Sequence, residues 1–110
     1  MSCTNIIIDL RAVKAPFYIE EGDHFNFALN FFDADNVAID MSTILDAQLI
    51  VDDVEVASLG DGITVTGVDT NTLTFSKANS LTVGKYQYSI VVTDSDGLIK
   101  TYIDGKMTVE

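Results

Sequence analysis

Apolar side chains recur at every second position through much of this chain. In residues 23–31, Phe25, Phe27, Leu29 and Phe31 alternate with His24, Asn26, Ala28 and Asn30. Successive side chains of a strand point to opposite faces, so this period commits the segment to a strand with one buried aromatic face. Residues 85–93 repeat the pattern, with Tyr86, Tyr88, Ile90 and Val92 opposite Lys85, Gln87 and Ser89. Weaker strands are read at 6–13, 17–19, 47–51, 54–58, 63–65, 72–76, 98–103 and 106–109. Helical periodicity is nearly absent, and only residues 40–46 suit a helical turn.

Turn chemistry separates these runs. Asp33-Ala34-Asp35-Asn36, Asp52-Asp53, Gly60-Asp61-Gly62, Asp69-Thr70-Asn71 and Asp94-Ser95-Asp96-Gly97 all tolerate left-handed backbone or close Asx-turns. Asp96-Gly97 between two alternating runs predicts a hairpin. The single proline, Pro16, lies early, where an edge strand accepts it. Many short strands at this spacing predict an all-β antiparallel sandwich or barrel, and no linker or repeat divides the 110 residues, so the chain reads as one domain, 1–110.

Composition narrows the function. Hydrophobic residues make up 47% and charged residues 21%, which a disordered chain does not show. Seventeen Asp and Glu against six Lys and Arg give a net charge of −11, which repels nucleic acid and anionic membrane surfaces alike. One Cys and one His leave no disulfide framework and no zinc site from this chain alone. Cys3 is read as an incidental free thiol, with intermolecular pairing as the alternative. The first residues carry no basic segment or long apolar run of a secretion signal, so the chain is expected to stay where it is made.

A local pattern sharpens the fold. Leu81-Thr82-Val83-Gly84-Lys85-Tyr86-Gln87-Tyr88 sets a Tyr two residues after a Gly, at the start of a strong strand. In immunoglobulin-like sandwiches a Tyr there closes a corner between sheets, and the residue two further on faces the core. Tyr86 is then the corner residue, and Tyr88 stands where such domains often carry a Cys. The alternative is that both are ordinary strand aromatics. A buried Tyr88 hydroxyl requires a partner, since an unpaired one costs roughly 1–3 kcal/mol.

Four segments, in order, carry a wider likeness: Glu21-Gly22-Asp23 leading into the Phe25–Leu29 alternation; Phe32-Asp33-Ala34-Asp35-Asn36-Val37-Ala38-Ile39-Asp40; residues 81–92 with Gly84, Tyr86 and Tyr88; and residues 93–97 followed by 101–109. Together they resemble the immunoglobulin-like domain of tailed-phage virion proteins, notably the N-terminal module of upper baseplate proteins and related head- or tail-fibre anchors. The resemblance implies an immunoglobulin-like antiparallel β-sandwich of about seven strands. It implies a structural virion component, located in the particle after synthesis in the host cytoplasm. Its partners would be other virion proteins of capsid, fibre or tail, with a homo-oligomer compatible with virion symmetry. In the baseplate proteins a further region follows this module, whereas here the sequence stops at Glu110. The expectation is therefore an accessory protein, either a capsid decoration (auxiliary capsid protein) or a small tail or fibre adaptor. The alternative from another class is a secreted or cell-surface binding module for a glycan or protein ligand.

Catalysis finds no support in the residues. Asp52-Asp53 and Glu20-Glu21 point to opposite faces when extended, and His24 lies on the polar face of its strand. No Gly-x-Ser-x-Gly, phosphate loop or His-Glu pair occurs, so neither an enzyme activity nor a cofactor is expected. Asp33, Asp35, Asn36 and Asp40, with Asp94 and Asp96, offer hard oxygens of the kind calcium takes, but Val37 stands where a calcium loop needs a ligand. Acidic hairpin turns account for the same residues. Contact surfaces are easier to argue. Phe32 breaks the phase of its strand, Tyr102 alternates opposite Ile103, and Phe17-Tyr18 puts apolar groups on both faces. Phe32, Tyr102, Phe17 and Tyr18 are the candidate interface residues. The N-terminal strand is also suited to joining a neighbour's sheet.

Overall fold

Strand pairing follows from the two alternating segments. The structure is a computed structural model that describes residues 3–7, 13–33 and 35–110. The first strong run forms β4 (Phe25–Phe32) and the second β9 (Gly84–Thr93). Around β4 the order is β1 (Cys3–Ile7), β4, β8 (Thr72–Lys77) and β7 (Gly62–Thr66). Around β9 it is β6 (Val54–Leu59), β5 (Asp46–Val51), β9 and β10 (Ile99–Val109). On the far edge of β10 lie β2 (Val13–Lys14) and β3 (Phe17–Ile19). The two layers join where β6 and β7 pair in parallel through Ser58–Gly62 and Leu59–Ile63. The result is an immunoglobulin-like β-sandwich.

The core lies between the layers. Phe25, Leu29 and Phe31 of β4 are buried, as are Tyr88, Ile90 and Val92 of β9, and they share one hydrophobic cluster with Leu49, Leu73, Phe75 and Met107. Phe27 is half-buried and stacks on Phe75, with ring centroids 4.4 Å apart. Each such side chain contributes roughly 1.5–3 kcal/mol on leaving water.

Several expectations are corrected. Among the described residues there are ten strands where about seven are expected, with β1 on the edge at β4 and β2 and β3 on the edge at β10. Pro16 has no N–H to donate, so the bonding to β10 that reaches the Ala15 amide is interrupted there and strand pairing resumes at Phe17. The strand read at 6–13 is realised as the end of β1 and the start of β2, and residues 8–12 lie outside the described residues. Here β1 pairs in parallel with β4 of its own chain. Residues 40–45 form a turn and no helix, and Asp46 already belongs to β5. The Asp40 Oδ1 accepts the Ser42 amide at 2.8 Å, a local bond that competes with helical pairing. The strands read at 98–103 and 106–109 are one strand, β10, and Gly105 lies inside it.

Gly105 is required there by a close approach. A Cβ at this position would be driven into the Ala15 carbonyl oxygen. The Ala15 amide donates to the Asp104 carbonyl at 3.0 Å, and the Tyr88 hydroxyl donates to the Ala15 carbonyl at 2.7 Å. That bond supplies the partner a buried Tyr88 needs, and burial, with Asp104 nearby, pushes its phenol up to about 12. Two residues upstream, the Tyr86 hydroxyl donates to the Thr82 carbonyl at 2.7 Å, the bond that defines a tyrosine corner.

Candidate contact surface

Among the described residues, three connections meet at one end of the sandwich. Residues 33–45 leave β4, 67–71 join β7 to β8, and 94–98 join β9 to β10. The registers place them together: Asn30 pairs with Thr72, Thr66 with Thr72, and both Asp46 and Ile99 with Thr93.

Each loop is built from local carboxylate chemistry. Asp33 Oδ1 accepts the amides of Asp35 and Val37 at 2.9 and 3.0 Å, and Asp94 Oδ1 accepts those of Asp96 and Leu98 at 2.9 Å each. Asn36 at φ 64° and Gly97 at φ 82° supply the left-handed residue that turns the chain back. The first loop is also tied to 67–71. The Thr70 hydroxyl donates to Asp40 Oδ1 at 2.5 Å, the Met41 amide donates to the Thr70 carbonyl at 2.7 Å, and the buried Asn71 Nδ2 donates to the Phe31 carbonyl at 3.2 Å. The Thr70 hydroxyl, with Ser42, holds the Asp40 carboxyl down to about 2.

These loops present aliphatic side chains to solvent. Val37, Leu45, Val68, Leu98 and Ile99 account for five of the eight exposed large hydrophobics among the described residues. Leu45 joins the patch because its amide donates to the Thr93 carbonyl, beside Ile99. Val68 has no cover at all, with 103% relative exposure. Apolar groups concentrated on one end mark a contact surface, whereas scattered ones do not.

The four residues singled out from the sequence are not brought together. Phe17 is half-buried inside an aromatic cluster, with centroids 5.0 Å from Phe27, 5.9 Å from Tyr88 and 6.4 Å from Phe25. Tyr18 is exposed at the side of the sandwich, beside a cleft of about 270 Å³ shared with Phe17, Phe27 and Tyr88. Phe32 is half-buried at the end of β4, bridged to Ala38. Tyr102 lies beside Lys100 as its alternation predicts, but it is half-buried and does not stand outward. The register slips between Thr101 and Ile103, and this bulge turns Tyr102 onto the buried Phe31, edge-on at 5.2 Å. The Lys100 ammonium lies 5.6 Å from the Tyr102 ring centroid. Burial and then the Asp94 charge push the Tyr102 phenol upward.

The five aliphatics were missed because they sit in separate loops that only the topology unites. A weak signal existed: Val37, Val68 and Leu98 each directly follow a residue with positive φ, where turn chemistry favours a polar neighbour. The calcium reading gains no support from geometry. The Asp33 and Asp94 oxygens face their own amides, and among the described residues no three metal-ligating side chains converge.

No protein-family model matches the chain, and no curated protein matches it. Among solved structures it is similar to the fibronectin(III)-like modules of CbhA from Clostridium thermocellum, with 13% identity over 96% of this chain and 95% of that one and a TM-score of 0.49. It is also similar to CopC from Methylosinus trichosporium OB3b, with 19% identity over 87% of this chain and 84% of that one and a TM-score of 0.49.

Proposed function

We propose that this protein is a non-catalytic structural component of a tailed-phage particle, an accessory subunit of capsid, tail or fibre that works by protein–protein contact. The observation that carries the contact role is the loop end, where four aliphatics of loops fixed by their own hydrogen bonds, and Ile99 at the start of β10, stand exposed. A pre-organised surface loses little entropy on binding. The phage assignment rests on the likeness of the four segments between Glu21 and Val109.

The magnitudes favour a repeated assembly over a tight single contact. Partial burial of five aliphatics yields about 1 kcal/mol each. Association costs about 4–15 kcal/mol in lost rigid-body freedom. One copy therefore binds weakly, and many copies on a symmetric lattice hold through avidity. The charge of −11 keeps free copies apart before assembly and away from packaged DNA.

Quantitative peptide mass spectrometry on density-banded particles of the source phage tests the proposal. Copy number near that of the major capsid protein indicates a head decoration. Copy number near that of portal or baseplate components indicates a tail or fibre adaptor. Absence from clean particles overturns the virion reading and moves a secreted or surface-bound binding module to first place.

A further inference from the structure

We propose that the loop end docks onto a basic protein surface, an apolar centre ringed by Lys and Arg, and that it does not pair with a second copy of itself. The inference deepens the contact reading above and rests on it. The three loops contain Asp33, Asp35, Asp40, Asp69, Asp94 and Asp96 and no Lys, Arg or His. Five exposed aliphatics lie among these carboxylates. Among the described residues, Lys100 of β10 is half-buried over the Tyr102 ring. At the opposite end the arrangement differs. Asp52 accepts the Gln87 amide and shares a cleft with Lys85 and Lys106, and Val54, at the start of β6, and Val83 are its exposed aliphatics among the described residues.

Charge decides the occupant. An end-to-end pair of copies would oppose twelve aspartates across an apolar contact, twice the six of one copy. Like charges brought together as water leaves repel one another, and these loops carry no cation to answer them. A Lys/Arg-rimmed partner reverses that sign and raises the encounter rate. The six carboxylates divide by role. Asp33, Asp40 and Asp94 hold turns, while Asp35, Asp69 and Asp96 are exposed, and none of the hydrogen bonds described for these loops uses their side chains. The second three can be neutralised without dismantling the loops.

The test places a photo-crosslinking benzoylphenylalanine at Val68 or Leu98, and in separate variants at Val54 or Val83 of the opposite end. The full-length protein is irradiated in extracts of the cells that produce it, at low and high salt. Crosslinked peptides are identified by mass spectrometry. Expected are yields at Val68 and Leu98 at least about tenfold above those at Val54 and Val83, on Lys/Arg-rich partner peptides, falling several-fold at high salt. The variant D35N/D69N/D96N, with an unchanged melting temperature, should cut the yield by about tenfold and flatten its salt dependence. Crosslinks mainly from Val54 or Val83, to neutral or acidic peptides, or to another copy of this chain overturn the inference. So does a triple variant that crosslinks as well as the parent. A basic partner that is no virion protein upholds this inference and overturns the phage reading. A virion partner reached through the opposite end does the reverse.

Discussion

In loop 33–37 the Asn36 amide donates to the Asp33 carbonyl at 3.0 Å and the Asp33 amide to the Val37 carbonyl at 2.9 Å. In loop 94–98 the Gly97 amide donates to the Asp94 carbonyl at 3.0 Å and the Asp94 amide to the Leu98 carbonyl at 2.9 Å. With the carboxylate bonds added, the two loops share one hydrogen-bond pattern, and each ends in an exposed aliphatic. Their roots differ. The first grows from the Phe32–Ala38 pair, both half-buried, next to Phe31, which is fully buried and bonded through its backbone to Asn71 and Ile39. The second grows from the Thr93–Ile99 pair, and Ile99 is 73% exposed. Sequence-local chemistry can thus build the same loop twice, while the surrounding core decides how firmly each is held.

The largest effect should come from the roots. Phe31→Ala empties a packed site against Tyr102 and should cost about 3–5 kcal/mol, read as a lower urea midpoint. Ile99→Ala should stay within about 0.5 kcal/mol of the parent. A cost above about 1 kcal/mol for Ile99 would mean that the second root is packed too, and the contrast between the loops would fail.

Next come the carboxylates that the loops share. Asp33→Ala and Asp94→Ala each release two amides to solvent and should each cost about 1 kcal/mol. If the loops are equivalent in chemistry, the two costs agree within about 0.5 kcal/mol. Amide hydrogen exchange should separate them where stability does not. Leu98 should exchange faster in Asp94→Ala than Val37 does in Asp33→Ala, because residues 33–45 keep their bonds to Thr70 and Asn71.

How much of this was legible depends on the range of the cause. The β4 and β9 faces could be read because burial on one side imposes a period of two on neighbouring residues. The loops at Asp33 and Asp94 could be read because their bonds span at most four residues. Gly105 was misread as a break because its need comes from Ala15, ninety positions earlier in the chain. The packing of Tyr102 on Phe31 could not be read because one extra residue in a bulge leaves no trace in the alternation. The contact end was out of reach for the same reason: Val37, Val68 and Leu98 become neighbours only once the strands are ordered.

A smaller effect follows from the tie that only the first loop has. The folded Asp40 carboxyl titrates at about 2, below its ordinary 3.8, because the Thr70 hydroxyl and Ser42 bond its charged form. A depressed folded value means stabilisation that is present above 3.8 and lost as pH falls through 2. Acid should therefore loosen 33–45 and 67–71 together over that window and leave the Leu98 amide unaffected by this group. Two-dimensional NMR from pH 5 to about 2 reads both loops at once. Asp40→Asn should abolish the difference, and a Leu98 response of equal size at the same midpoint would remove the distinction.

The smallest effect lies at the left-handed position, where Asn36 of one loop corresponds to Gly97 of the other. Asn36 holds φ 64° and Gly97 φ 82°, the same left-handed region with and without a side chain. Asn visits that region more readily than most residues, because its short polar side chain bonds locally. Glycine visits it freely but loses more entropy on folding. These terms nearly cancel, so Asn36→Gly and Gly97→Asn should each shift stability by less than about 0.5 kcal/mol. Gly97→Ala removes the cancellation. No atom lies within 4 Å of the added Cβ, so the cost of about 1 kcal/mol is that of the backbone conformation alone. A Gly97→Ala variant as stable as the parent would mean that the second loop relaxes out of the left-handed turn. The loops would then share a hydrogen-bond pattern only while glycine holds it, and Leu98 would no longer be presented as Val37 is.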